Sequence, residues 1–569
     1  MEPDRWEEER RRGLTIDLGF AWTTLASGRE VAFVDVPGHH RFLGNTLAGL
    51  GPAPVVCFVV AADEGWQAQS GDHRDALAAL GIRHGLIAIT RADRTTADAA
   101  ANVLEQAREE LSETGLHEAP GVIVSAVDGS GLTELRAALD RVLSAMPPPE
   151  SSPRVRLWVD REFSITGAGT VVTGTLAAGT LAAGDRLDLL GGHRARSVVI
   201  RGLQSRGEPY AEVGPVARVA LNLRGVSRDA LHRGDALVTP GAWPDTRILD
   251  VRRITGSPLT EAPARLVVHV GTAAVPARLR PFDDEHGRLT LDRRLPLVLG
   301  DRLILRFAGG LGGALVLDAD PPALRRRGDG SRRAATLVRM DADGDVVAEV
   351  ARRGAVQADH LRRLGLFSDT APTEVRVLDG WWIHKPTYDA WQQRLQTAVR
   401  ELHNRDPLAD GLSRGAARDL LGLPDESLLN AVARDAGLEQ GGGHIRLAGV
   451  RDDLGDAEAS VGELEIRLGA EPFHAPEADE LSALRLGARE LAAAERAGRV
   501  LRLRDGVVLL PTAPALAMRA LAALKQPFTT SQARQALCTT RRVAIPLLEH
   551  LDARGWTRRL DAGHREVVR

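Results

Sequence analysis

The chain has 569 residues, 44% of them hydrophobic and 26% charged, with a formal net charge of -3. That length exceeds a single core and predicts three to five domains. No apolar run reaches the ~20 residues of a membrane span, and the charged start Met1-Glu2-Pro3-Asp4-Arg5-Trp6 carries no secretory leader pattern. Two cysteines, Cys57 and Cys538, give neither a disulfide framework nor a metal spacing, as expected of a reducing cytoplasm.

The first 150 residues alternate apolar strands, at 31–34, 55–61, 85–90 and 121–125, with helical runs at 41–50, 70–80, 96–114 and 132–145. This alternation predicts an α/β domain with a parallel sheet covered on both faces. Ligands of such sheets bind at the carboxyl ends of the strands. Glu30-Val31-Ala32-Phe33-Val34 reads as a short buried strand, and Asp35-Val36-Pro37-Gly38-His39 follows it. A carboxylate at Asp35 can hold a metal through water, and Gly38 lets its backbone N–H approach a terminal phosphate. Upstream, the Thr15 hydroxyl of Arg12-Gly13-Leu14-Thr15-Ile16-Asp17 can ligate Mg²⁺ beside a γ-phosphate. On the local residues alone, a turn into an edge strand fits Thr15 equally well. Thr90-Arg91-Ala92-Asp93 follows the third strand. Asp93 can accept hydrogen bonds from a guanine N1–H and exocyclic amine, a donor pair that adenine lacks. Arg91 can stack on the base. Ser125-Ala126, after the fourth strand, can offer a backbone N–H to the guanine carbonyl.

Residues 12–20, Asp35 to Arg41, Ala61-Ala62-Asp63-Glu64-Gly65-Trp66, Thr90 to Asp93 and Ser125-Ala126 together resemble a translational GTPase. The resemblance is greatest to the bacterial selenocysteine-specific elongation factors, relatives of elongation factor Tu. Gly13-Leu14-Thr15-Ile16-Asp17-Leu18-Gly19-Phe20 is similar to the first switch of that family. The resemblance implies a P-loop-type GTPase domain over 1–150, with GTP and Mg²⁺ as cofactors. It implies that His39 positions the attacking water, that Asp35 and Thr15 serve Mg²⁺, and that Gly38 touches the γ-phosphate. One part is missing from the sequence. No GxxxxGK[ST] phosphate loop precedes Thr15, and the lysines are Lys385 and Lys525. Glu7 to Arg12 resembles the arm that follows such a loop. Either the start is assigned too late, with roughly 20 or more residues lost, or this is a member without nucleotide turnover. The intact downstream motifs favour the first explanation. As it stands, the 569-residue chain is expected to bind GTP poorly.

Pro147-Pro148-Pro149 and Ser151-Ser152-Pro153 predict a stiff linker. Short strands punctuated by glycine follow, at 155–159, 170–176, 186–190, 196–200, 216–221 and 236–238. A second series follows at 246–253, 264–270, 277–279, 288–291 and 302–307. Each series predicts a small β-barrel, over 151–243 and 244–330. The stretch from Leu157 to Thr175 is similar to domain 2 of the same family, and the resemblance implies that these barrels clasp an aminoacyl-tRNA. A selenol is anionic at neutral pH, so a positive pocket would separate it from neutral serine and from mostly neutral cysteine. Arg161 and Arg218 are the candidates for that charge, with Asp160 orienting one of them or the amino group. As ordinary surface charges the three fit the sequence about as well.

Arg325-Arg326-Arg327-Gly328-Asp329-Gly330-Ser331-Arg332-Arg333 reads as a charged linker. Beyond it the chain turns helical, with two-strand elements at 375–383, 441–447, 499–510 and 556–568 that predict about four winged helices over 331–511 and 512–569. In the last unit, 529–537 and 540–551 read as a helix pair, with Thr540 as cap and Ala544, Leu547, Leu548 and Leu551 facing the core. Arg541 and Arg542 then lie in the first turn, and the wing carries Arg558, Arg559 and Arg565. From Lys525 to Arg569 there are nine basic and four acidic residues, the footprint of an RNA-binding face. The four-unit extension resembles the part of the family that grips a hairpin in the message. The expected partners are selenocysteyl-tRNA, an mRNA hairpin and the ribosome, with the chain a cytoplasmic monomer. Two other readings stay open: a general GTPase of elongation-factor-Tu type, and a nucleotide-independent RNA-binding adaptor.

Overall fold

The structure, a computed structural model, describes residues 15–568 apart from 40–41, 52, 149–153, 166–168, 193–195, 309, 367, 369, 407 and 450–453. The arm at 7–12, residues 12–14 of the switch-like motif, Arg41, residues 149 and 151–153 of the linker, and residues 166–168 of the domain 2 motif lie outside the described residues. The chain forms two compact units. One comprises residues 1–349 and 356–372, the other 350–355 and 373–569.

The first unit begins with β1 (Gly19–Thr24) and β2 (Glu30–Asp35), followed by α1 (Leu43–Leu50). Next come β3 (Val56–Ala61), α2 (Ala68–Leu80), β4 (Gly85–Thr90), α3 (Ala97–Leu111), β5 (Gly121–Ile123) and α4 (Leu132–Ser144). The helices lie where the periodicity predicts them. Strands β3, β4 and β5 form a parallel sheet. Its core, including Leu77, Ile87, Ile89 and Leu111, is fully buried. Each such side chain contributes about 1.5–3 kcal/mol relative to exposure.

β2 departs from the prediction. It pairs antiparallel with β1, Gly19 opposite Asp35, and does not join the parallel sheet. Nor is it buried: Ala32 and Phe33 are exposed, and Val31 and Val34 are half-buried. The reason is a cavity of about 960 Å³ between β2 and β3, walled by Val31, Phe33, Val56, Cys57, Leu139 and Leu143 among others. No described strand fills it. The apolar run of β2 is that of a covered strand, and no described strand covers it.

Two barrels follow. In the first, Arg186–Leu190 pairs with both Ala236–Val238 and Arg196–Ser205, which closes the ring through Ala217–Arg224, Gly169–Leu176 and Arg156–Ile165. The second barrel has the strand order Thr246–Thr255, His286–Leu295, Ala273–Pro281, Arg265–Val270, Arg302–Phe307, Gly310–Asp318. Its sixth strand, Gly310–Asp318, has no counterpart in the sequence-based series. Its glycines read as loop, but they serve a packing purpose. A Cβ on Gly313 would lie 2.8 Å from the Ala79 Cα of α2, so the helix crosses the barrel on bare backbone.

The charged stretch 325–333 is not a free linker. α5 (Asp329–Leu337) begins within it, and Arg333 turns inward to Asp250 (2.6 Å) and Asp318 (2.5 Å). Asp250 also receives Arg288 at 2.7 and 3.0 Å. An arginine that closes a buried charge cluster looks the same in the sequence as its solvated neighbours.

The second unit holds a 21-residue helix, Lys385–Arg405, and four hairpins. These are Val375–Leu378 with Trp381–His384, Leu438–Gly441 with His444–Leu447, Leu501–Arg502 with Val508–Leu509, and Thr557–Arg559 with His564–Val567. In the last, Phe528–Thr529 adds a third strand, and the helices Thr530–Ala536 and Arg541–Ala553 complete a winged helix. Thr529 caps the first helix through a reciprocal pair with Gln532. Thr540 stands at the start of the second but makes no side-chain capping bond, contrary to expectation. Ala544, Leu547, Leu548 and Leu551 are fully buried, and Pro546 sits inside the helix.

Candidate functional site

The nucleotide motifs converge on the ends of the strands. At the end of β2, the Thr15 hydroxyl donates to the Asp35 carboxylate at 3.4 Å. The two proposed metal ligands, which are twenty residues apart in sequence, therefore meet. A hydroxyl beside a carboxylate is a donor set that suits a hard cation retaining water. Among the described residues, no cluster of three or more His, Cys, Asp or Glu forms an all-protein metal cage. The following loop is fixed from below: Thr46, buried on α1, donates to the Pro37 carbonyl at 2.5 Å. Gly38 lies against the Gln69 side chain. His39 sits beside Phe42, with ring centroids 6.1 Å apart, and is half-buried.

At the ends of β4 and β5, the buried Ser125 hydroxyl donates to Asp93 at 2.7 Å and accepts from the backbone N–H of Val127 at 3.2 Å. This bond sets the orientation of the Asp93 carboxylate, which is exposed. The loop beyond is held by Asp128, whose carboxyl the Ser130 backbone N–H keeps below the usual range. Ala126 lies exposed on the same loop. Arg91 keeps only part of the stacking surface expected of its stem and guanidinium. Its guanidinium is held by Asp63 and by Glu64 (2.6 Å), so the stacking surface left is its aliphatic stem. Thr90, at the last position of β4, reaches the Val60 carbonyl at 3.5 Å. This side suits a guanine. On the phosphate side no lysine lies among the first 384 residues, so these residues do not supply a glycine-lysine cradle.

The second cluster is on the first barrel. Asp160 is 5% exposed. Both its oxygens receive Arg218, one at 3.0 Å, and Thr173 donates to it at 2.6 Å. Arg218 also donates to the Thr173 hydroxyl at 3.1 Å. This is a built arrangement rather than a surface charge, and Asp160 orients Arg218. Above it, the Arg218 guanidinium lies 3.4 Å from the centroid of the Phe20 ring, a stacked cation–π contact. Arg161 sits 5.5 Å from the same ring and donates to Asp17 at 2.8 Å and to the Leu18 carbonyl at 2.6 Å. Sequence reasoning did not place Asp17 and Phe20 beside these arginines, nor Arg233, which donates to Asp17 at 3.4 Å. Asp17 and Phe20 stood inside the switch-like motif and were assigned to the nucleotide end alone.

In the last winged helix the five arginines separate. Arg541 is exposed at the first turn of its helix. Arg542 donates to the Ala475 and Pro476 carbonyls at 2.9 and 3.0 Å. It anchors the preceding segment rather than presenting a charge to RNA, which corrects the expectation for it. Arg558 pairs across the wing with Glu566, and Arg559 donates to the Asp561 carbonyl at 3.1 Å. Arg565 is 6% exposed and bound to Asp552 at 2.8 Å, a core contact of the wing.

Comparison with known proteins matches four segments of the chain to families. Residues 1–145 match the family described as elongation factor Tu GTP binding domain, and 169–238 match elongation factor Tu domain 2. Residues 248–323 match the selenocysteine-specific elongation factor beta-barrel domain, and 519–565 match the elongation factor SelB winged helix. The chain is 32% identical to the selenocysteine-specific elongation factor of Escherichia coli (strain K12) over 445 residues, 75% of this chain and 71% of that one. It is 28% identical to the Haemophilus influenzae protein of the same name, over 98% of this chain and 94% of the other. To elongation factor Tu 2 of Streptomyces avermitilis it is 33% identical, over 44% of this chain and 65% of the relative. In fold it is similar to a crystal structure of the bacterial selenocysteine-specific elongation factor EF-Sec. The TM-score is 0.74 at 23% identity, covering 100% of this chain and 96% of the other.

Proposed function

Because the chain belongs to the selenocysteine-specific elongation factors, which are GTP-binding translational GTPases, we propose that it carries selenocysteyl-tRNA to the ribosome at a recoded UGA codon while its last winged helix holds a hairpin of the message. GTP, when bound, supplies the γ-phosphate whose presence or loss the switch residues sense. On this reading Asp93, steered by Ser125, selects guanine, with the Arg91 stem beneath the base, Thr90 supporting the loop and Ala126 offering its N–H. Thr15 and Asp35 hold Mg²⁺, Gly38 lies at the γ-phosphate, and His39 orients the attacking water once the ribosome has placed it. Asp160, Arg218 and Arg161 form the selenocysteyl pocket. Arg541, Arg558 and Arg559 face the hairpin.

One observation carries the reading: the Phe20 ring, from the segment beside the metal ligands, stacks on the Arg218 guanidinium of the barrel pocket. A change at the nucleotide end therefore has a direct mechanical path to the aminoacyl end. Elongation-factor-Tu-type delivery of ordinary aminoacyl-tRNA is disfavoured by the winged-helix unit. The test is the affinity of the wild-type chain and of Arg218→Ala for selenocysteyl-tRNA and seryl-tRNA. The expected outcome is discrimination in the wild type and its loss in the variant. Equal discrimination in both removes Arg218 from the pocket.

A further inference from the structure

The anionic position of the pocket already holds an anion from the chain itself. One Asp17 oxygen meets Arg161 at 2.8 Å, and the other meets Arg233 at 3.4 Å. Arg233 comes from the turn before the Ala236–Val238 strand and is distant in sequence from the residues that first suggested the pocket. Its Nη2 is buried and makes no hydrogen bond among the described residues. It is a donor that lacks the acceptor its burial calls for. Leu18 and Phe20, which follow Asp17, are 5% and 6% exposed, so the segment that carries Asp17 is anchored by packing on its C-terminal side. Three arginines, Arg161, Arg218 and Arg233, face two carboxylates, Asp17 and Asp160. The net charge of the group is +1 with Asp17 in place and +2 without it.

We propose that Asp17 is an internal counter-ion that closes the selenocysteyl pocket, and that Arg233 is a further specificity-determining cation, uncovered when the Asp17 segment withdraws. The inference rests on the pocket reading above and deepens it. In the closed arrangement a selenolate must displace a carboxylate that is held without translational cost. In the open one it finds two guanidinium groups, one with a donor to spare. A neutral serine hydroxyl gains little from either, so the counter-ion also sets selectivity. Because Asp17 lies two residues from Thr15, whose hydroxyl reaches Asp35, ordering of Thr15 by metal and nucleotide would draw the counter-ion off the barrel.

Asp17→Asn keeps the shape and removes the charge. In nucleotide-free binding with the full chain, this variant should bind selenocysteyl-tRNA on the order of tenfold more tightly than wild type and leave seryl-tRNA unchanged. Arg233→Met should weaken selenocysteyl-tRNA alone and abolish the gain when combined with Asp17→Asn. Hydrogen exchange across the Gly169–Leu176 and Ala217–Arg224 strands confirms that the barrel stays folded. If all variants bind and Asp17→Asn shows no gain, or gains equally for both tRNAs, the counter-ion role is overturned while the pocket stands. If neither wild type nor variants bind either tRNA, the pocket reading falls and takes this inference with it.

Discussion

Replacing Arg333 with methionine probes the buried charge cluster that fastens α5 to the second barrel. The side chains are almost fully enclosed, with Asp250 at 0%, Asp318 at 3%, Arg333 at 4% and Arg288 at 10% exposure. Arg333 contacts both aspartates, and Arg288 contacts Asp250. Methionine keeps the stem volume but takes from two enclosed carboxylates the guanidinium they share. Removing one partner of a buried pair costs ~3–5 kcal/mol. Coulomb's law gives a similar figure, about 4 kcal/mol for unit charges ~4 Å apart at an effective dielectric of ~20. Because the chain has two units, a single melting temperature is ill-defined. The assay is therefore hydrogen exchange across Thr246–Thr255 and Gly310–Asp318, the strands that carry Asp250 and Asp318. At about 1.4 kcal/mol per factor of ten, exchange should quicken roughly 10²- to 10⁴-fold. Adding Asp318→Asn to Arg333→Met removes one of the two carboxylates that lost the guanidinium and should recover part of the loss. A single variant within threefold of wild type, or a double variant as labile as the single, would refute the charge-balance reasoning.

Other outcomes follow from packing and titration. His269 is 6% exposed on the second barrel, and burial, with the Arg306 charge second, lowers its pKa to about 4 from an ordinary 6.5. Its folded pKa is depressed, so the unfolded chain takes up the proton first as pH falls. The neutral histidine's contribution is complete above pH ~6.5 and drains away toward pH ~4, at most ~3 kcal/mol. The His269→Gln variant should flatten that slope in barrel hydrogen exchange. At Gly49 on α1, a Cβ would lie 2.5 Å from Val36 Cγ1 and 2.8 Å from Leu18 Cδ2. Alanine gains about 1 kcal/mol of helix propensity but incurs ~1–3 kcal/mol of overpacking against a stiff valine. Gly49→Ala should therefore loosen Gly19–Thr24, read as faster exchange there; greater protection would show that the ribbon yields without cost. On the winged helix, Arg541→Ala should weaken hairpin binding and reduce the salt slope by roughly 0.7–0.9, whereas Arg542→Ala should lower stability before affinity.

How much of this was legible in the sequence differed by region, for physical reasons. Periodicity located the helices of the first 150 residues and all four hairpins of the second unit, because packing there follows local pattern. The Gly310–Asp318 strand was missed because its glycines answer to a helix from elsewhere in the chain. Arg333 among the basic run 325–333, and Arg542 beside Arg541, show the same limit with charge: composition names an arginine, and only the fold says whether it faces carbonyls, carboxylates or water. The nucleotide motifs were readable because strand ends concentrate them. Asp17 was not read as a partner of the barrel arginines, since 144 residues separate it from Arg161.

The gap between β2 and β3 bears on how the molecule behaves in bulk. Each of the two strands has one flank to which no described strand is hydrogen-bonded, and exposed Phe33 and Val59 stand nearby. Such a flank is a template for strands of other chains, and a formal charge of only -3 offers little long-range repulsion. A lysine placed on either flank is therefore expected to slow precipitation of this protein.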